Sequence, residues 1–173
     1  MKIISGGQTG VDRAALDAAI ELKIPQGGWC PKGRLAELGT TIPGKYQLKE
    51  TSSSDFCVRT KLNIKDSDGT LIIVLTTPIK VTDGTLLTIQ EVQETNKPYL
   101  IIDLSSKQDK RVILDWIKKN NITALNIAGP RESQAPGIYA ASFNFLKEVF
   151  SELIKSLTDD INRDEQSSSR CSI

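Results

Sequence analysis

The sequence predicts an α/β fold, a doubly wound and mostly parallel sheet with helices on both faces. Three observations carry that prediction. Leu71 to Leu75 (LIIVL) and Tyr99 to Leu104 are continuous apolar runs, the pattern of strands covered on both sides. These runs alternate with segments whose apolar residues recur at helical spacing. Three predicted strand ends lead into polar loops that contain glycine: Ser5 to Gly10, Thr76 to Thr85, and Gly129-Pro130-Arg131. Alternating strands and helices of this kind form parallel sheets with right-handed crossovers, and ligands then sit outside the carboxyl ends of the strands.

The elements follow in order. Lys2-Ile3-Ile4 reads as a short buried strand, and Ser5-Gly6-Gly7-Gln8-Thr9-Gly10 delivers it into a helix near Val11. A glycine-rich turn at a helix N-terminus lets backbone N–H groups approach an anion and adds the partial positive charge of the helix end. The loop is neither G-x-G-x-x-G nor a Walker A sequence, and alone it reads equally well as a tight turn. In the helix, Val11, Ala14, Ala15, Ala18, Ala19 and Leu22 make one buried face, and Pro25 with Gly27-Gly28 ends it. Asp12 and Arg13 lie in its first turn, as ligand contacts or as a solvated local pair.

Gly27 to Arg34 reads as an irregular loop. Trp29 offers an aromatic face, and Lys32 and Arg34, flanking Gly33, offer cations suited to a planar heterocycle bearing a phosphate. The alternative for Trp29 is a plug in the core. Residues 35–49 read as irregular, and Ser52 to Asp55 then offers N-caps for a helix of about ten residues. That helix pairs Val58 with Leu62 and sets Arg59, Thr60 and Asn63 on a polar stripe, either ligand-facing or simply wet. The loop Asp66-Ser67-Asp68-Gly69 adds oxygen ligands. Thr76 follows the 71–75 strand, and Gly84-Thr85 enters a helix with Leu86, Leu87, Ile89 and Val92. Residues 109–120 read as a helix with Val112, Ile113, Trp116 and Ile117 inward, and Ala124 to Ala128 as the last strand. Pro136-Gly137 opens a final helix to about Leu157, with Tyr139, Phe143, Leu146, Val149 and Phe150 as its packing stripe. Residues 1–158 thus form one domain, and the polar, Ser-rich stretch 159–173 is expected to be a disordered tail.

Composition narrows the chemistry. With 22 basic and 21 acidic residues the chain suggests neither a nucleic-acid surface nor an anionic membrane partner. No apolar run approaches the roughly 20 residues of a membrane span, and no signal-peptide pattern opens the chain, so a cytoplasmic protein is expected. Cys30, Cys57 and Cys171 are too widely spaced for a disulfide framework or a zinc site. Histidine is absent, which removes Ser-His-Asp and Cys-His sites and tilts the reading from enzyme toward binding protein.

GGQTGVDRAALDAA, GGWCPKGR, RTKLNIKDSDGT and AGPRESQAPGIYA together resemble the molybdenum-cofactor carrier proteins, a branch of the Rossmann-like SLOG superfamily. The likeness covers about Lys2 to Phe150. It implies a homo-oligomer (dimer or tetramer) that holds the molybdenum cofactor, molybdopterin with its metal, or a molybdate oxyanion, without catalysis. Molybdenum enzymes or cofactor-synthesis proteins would be its protein partners. By this resemblance Gly6 to Gly10 cradle the anionic group, while Lys32, Arg34, Ser67, Asp68, Thr85 and Arg131 line the pocket. Related SLOG hydrolases of nucleotide monophosphates share a PGGxGTxxE motif. Here Val81 to Thr88 reads VTDGTLLT, so Thr88 stands in place of the Glu, and a hydroxyl cannot stabilise an oxocarbenium-like centre as a carboxylate does. Glu91, one turn on, is the one possible substitute. A phosphoribohydrolase-like enzyme and a sensor of a nucleotide derivative stand as the alternatives.

Overall fold

Every strand pairing in the computed structural model is parallel, and the six strands stand in the order β3-β2-β1-β6-β4-β5. The structure describes residues 1–75, 84–107 and 109–170, with side chains through Asp159. The strands are β1 (Lys2–Ile4), β2 (Gln26–Cys30), β3 (Leu48–Glu50), β4 (Gly69–Val74), β5 (Tyr99–Asp103) and β6 (Ala124–Ala128). The helices are α1 (Val11–Glu21), α2 (Phe56–Lys65), α3 (Gly84–Glu94), α4 (Lys110–Lys119) and α5 (Ile138–Arg170). The last strand in the chain inserts between β1 and β4, in register with both (Ile3 opposite Leu125, Thr70 opposite Asn126).

The pleat sorts the strand side chains between two layers. Ile3, Leu71, Ile73, Leu125 and Ile127 pack with Val11, Ala15, Ala18 and Ala19 of α1, Ile113 and Ile117 of α4, and Leu146, Val149 and Phe150 of α5. Their alternates Ile4, Ile72 and Val74 are also buried. Six consecutive buried residues in β4 are what a strand covered on both faces requires. The alanine face of α1 brings it close to the sheet and to α5. A smaller apolar cluster, Leu16, Cys30, Ala36, Ile42 and Tyr46, lies under the 35–48 segment.

Three expectations change, and one open alternative is decided. Residues 26–30 and 48–50 are strands rather than loop, because each gains a parallel neighbour that lies far away in sequence. Val112 is 52% exposed, and Leu114 instead joins Trp116 against the core. The polar stripe of α2 faces inward: Thr60 and Asn63 are buried. Helix α5 runs through Arg170 rather than ending near Leu157, since extending a formed helix costs far less than starting one. Among the described residues no helix is long and apolar enough to cross a membrane.

Candidate functional site

At the carboxyl edge of the sheet, β1 and β6 end side by side, and the loops that follow them are stitched together. Gly10 has φ of +75°, and a Cβ there would stand 2.3 Å from the carbonyl oxygen of Pro130. Only glycine allows the two loops this approach. The Val11 N–H donates to that same carbonyl at 3.3 Å, and the Glu132 N–H donates to Thr9 Oγ1 at 3.3 Å. Glu37, from the 3-10 turn at Glu37–Gly39, clasps both loops by accepting from the Thr9 and Ser133 hydroxyls. Burial opposes its ionisation, but these hydrogen bonds outweigh burial and hold its carboxyl below the ordinary range.

Beneath this clasp lies a cavity of about 320 Å³. It is lined from the β1–α1 loop and first turn of α1 (Gln8, Asp12), from α2 (Phe56, Cys57, Arg59, Thr60), from α3 (Thr85, Leu87, Thr88) and from the β6–α5 segment (Ala128, Gly129, Arg131, Gln134). Asp55 caps α2 by accepting from the Cys57 N–H at 2.8 Å, which fixes the turn that carries Arg59 and Thr60 inward.

The electrostatic centre of the cavity is a buried ion pair. Arg59 Nη1 donates to Asp12 Oδ2 at 3.0 Å, with side chains 13% and 3% exposed. The same oxygen accepts the Gln8 N–H at 3.2 Å. Gly6 makes the pair possible, because a Cβ on residue 6 would lie 1.9 Å from Arg59 Nη1 and 2.8 Å from Asp12 Oδ2. Burial pushes the Asp12 carboxyl up from its ordinary value, and the Arg59 guanidinium pulls against that rise. Arg131 spreads its guanidinium over the Phe56 ring, 5.1 Å from the centroid. Two buried donors on residues that line the cavity have no partner, Gln8 Nε2 and Arg59 Nε.

Of the residues expected from the sequence, the structure gathers Gln8, Arg59, Thr85, Gly129 and Arg131 on this cavity, with Gly6 directly under Arg59. Gly84 begins α3 beside Thr85, and Thr76 lies outside the described residues. Gly7 turns at φ of +74° and accepts from Arg13 Nε at 3.2 Å. Thr9, Gly10 and Arg13 line a separate cavity of about 380 Å³ with Asp17, Tyr46 and Tyr139. There both phenols donate to Asp17 Oδ2 and Lys45 pairs with Oδ1, so three donors already engage the acid. Burial, with the hydrogen bond to Asp17, pushes the Tyr139 phenol up to about 12.

The other expected residues stand elsewhere. The Arg34 guanidinium donates to the carbonyls of Ile42, Pro43 and Tyr46 at 2.9 to 3.1 Å, with a longer 3.4 Å contact to Leu48, and clamps that segment. Lys32 and Gly33 are exposed, and the Gly33 N–H donates to Glu50. Trp29 donates its indole N–H to Asp66 at 2.8 Å and lies under Lys49, while Asn63 pairs with both backbone polar groups of Trp29. Ser67 and Asp68 precede β4 and so lie at the opposite, amino edge of the sheet. Asp68 there accepts from the Thr123 N–H, the Thr123 hydroxyl and the Ala124 N–H, each at 2.8 Å.

Sequence reasoning omitted Phe56, Cys57, Leu87, Thr88, Ala128 and Gln134 from the site, and Asp12 and Thr60 were each one of two readings. The available signal was the inward face of α2, since Thr60 shares the polar stripe with Arg59. Glu91 does not reach the cavity; its carboxylate pairs with Lys61 at 3.2 Å. Among the described residues no group of three or more His, Cys, Asp and Glu side chains is placed to hold a metal ion directly.

Comparison with known proteins supplies the rest. No curated protein matches the sequence. A crystal structure of a "putative molybdenum carrier protein" from Syntrophus aciditrophicus is 49% identical, with a TM-score of 0.80, over 86% of this chain and 93% of that one. A family model for the circularly permutated YpsA SLOG family matches residues 3–150. The Rossmann-like sheet, the glycine loop over its carboxyl edge and the extent of these matches agree: the chain belongs to the circularly permutated YpsA SLOG family.

Proposed function

We propose that this protein binds and carries an anionic, acceptor-rich small molecule, the molybdenum cofactor, and does not transform it. The observation that carries the proposal is a pair of buried donors without partners, Gln8 Nε2 and Arg59 Nε, on two residues that line one cavity with Arg131. A buried donor left unmade costs about 1–3 kcal/mol. A ligand that brings acceptor oxygens to both removes that cost, so the cavity favours phosphate, oxo and carbonyl groups. The name of the Syntrophus protein, a molybdenum carrier, supports the choice of cofactor. Gln8, Arg59 and Arg131 would hold its anionic groups, and Phe56 would offer an apolar wall to the ring system. When bound, the cofactor supplies the metal's redox chemistry; the protein's part is to bind, orient and shield it. A homo-oligomeric assembly, a cytoplasmic location and delivery to molybdenum enzymes or cofactor-synthesis proteins belong to the same proposal.

The hydrolase alternative requires a carboxylate free to meet a glycosidic bond. Thr88 lines the cavity where the related motif has Glu, Glu91 is held by Lys61, and Asp12 is engaged by Arg59 and the Gln8 N–H. Titration calorimetry with isolated molybdenum cofactor and with AMP separates the two readings. Cofactor binding without AMP turnover is expected; release of adenine from AMP would overturn carriage without chemistry.

A further inference from the structure

Gln8 is a polar side chain on the cavity that is held at one end and free at the other. It is 3% exposed. Its side-chain oxygen receives two backbone donors, Thr9 N–H at 3.1 Å and Glu37 N–H at 2.9 Å. Only an oxygen can accept both, so the other end of the amide must be the NH2 group. The amide cannot turn over without facing its nitrogen to two donors and leaving both of them unpaired. Its own backbone N–H is tied to Asp12, which fixes the residue at its base.

We infer that Gln8 is a specificity-determining residue: a donor of locked orientation that requires an acceptor oxygen on the ligand and rejects a donor there. This rests on the reading of the cavity as the ligand site. The locking groups belong to the loop clasp, because Glu37 offers its N–H to Gln8 and its carboxylate to Thr9 and Ser133. Loop order and ligand polarity are therefore set by one residue. A hydrogen-bonding site of this type discriminates strongly, since the wrong group leaves two like poles facing each other at a buried side chain. The chemistry required of the ligand is an acceptor oxygen without a proton, from a phosphate, a molybdenum-bound oxo group or a ring carbonyl.

The test uses the near-isosteric variant Gln8→Glu in the full chain. The variant keeps an oxygen for the Thr9 and Glu37 N–H groups and replaces the ligand-facing NH2 by a second acceptor. Affinities for isolated molybdenum cofactor, molybdate and inorganic phosphate are measured by calorimetry. Backbone amide signals of Thr9 and Glu37 report whether the clasp is intact. The expected result is an intact clasp with binding weakened by roughly tenfold or more. In the unsubstituted protein the Gln8 side-chain NH2 signals should shift when ligand is added, which added charge in the variant cannot mimic. A loss shared by molybdate or phosphate assigns the contact to an oxyanion oxygen, and a loss confined to the cofactor assigns it to the cofactor's own ring system. Cofactor binding that is unchanged in Gln8→Glu, or NH2 signals that do not move on binding, would overturn the inference and leave carriage standing. If the unsubstituted protein binds none of the three, the reading of the cavity falls, and this inference with it.

Discussion

Gly6→Ala is the smallest perturbation that reaches the centre of the cavity. The new methyl carbon would stand 1.9 Å from Arg59 Nη1 and 2.6 Å from Arg59 Cζ, both impossible contacts, so the guanidinium must leave. The backbone is not the obstacle, since Gly6 is not among the positive-φ positions. What is lost is the 3.0 Å ion pair with Asp12. At an effective dielectric constant of about 20 the gross attraction at that distance is roughly 5 kcal/mol, and breaking a buried pair while its carboxylate stays behind typically costs about 3–5 kcal/mol. Asp12, already pushed up by burial, can take a proton and limit the loss, so about 2–4 kcal/mol is expected. The assay is urea unfolding of four proteins: unsubstituted, Gly6→Ala, Arg59→Leu and the double variant. With Arg59 gone the methyl group still meets Asp12 Oδ2 at 2.8 Å, but if Gly6 matters chiefly because it makes room for the guanidinium, its cost should fall by at least about 1 kcal/mol. Costs that simply add would refute the argument and place the effect of Gly6→Ala outside its contact with Arg59.

Arg34→Ala should destabilise the fold by about 3 kcal/mol in the same unfolding assay, because charge-assisted bonds to the carbonyls of Ile42, Pro43 and Tyr46 disappear together. Its affinity for molybdenum cofactor should stay within about twofold if the residue clamps rather than binds. Asp55→Ala should cost about 1 kcal/mol through the lost cap on α2, readable as a lower urea midpoint. The Asp68 carboxyl is held below its ordinary value of 3.8, chiefly by the Ala124 N–H and the Thr123 hydroxyl and N–H. A depressed acid stabilises the fold above its unfolded pKa and loses that contribution as pH falls through the folded one. Acid titrations of stability should therefore show a loss below about pH 4 that is reduced in Asp68→Asn; superimposable acid limbs would refute the assignment.

The local patterns in the sequence determined most of the elements. Six buried residues in a row made β4, small residues at helical spacing made α1, and Asp55 and Asp109 marked helix starts, because each of these signals acts within one or two turns of chain. Gln8, Arg59, Thr85, Gly129 and Arg131 were legible as residues that gather on one cavity for the same reason, since each sits at a strand end or on a periodic face. Only the tertiary structure decided that residues 26–30 and 48–50 are strands, because their hydrogen-bond partners come from distant chain. The same is true of how the cations divide. Arg34 and Arg59 both read from the sequence as candidate ligand-facing cations, yet one meets four backbone carbonyls and the other a buried carboxylate on a cavity. Ser67 and Asp68 looked like oxygen ligands, but chain direction through β4 puts them at the amino edge of a parallel sheet, away from the site. Composition specifies what a side chain can do. Which acceptor it meets depends on non-local packing, and that packing gave the free donors at this site to Gln8 and Arg59.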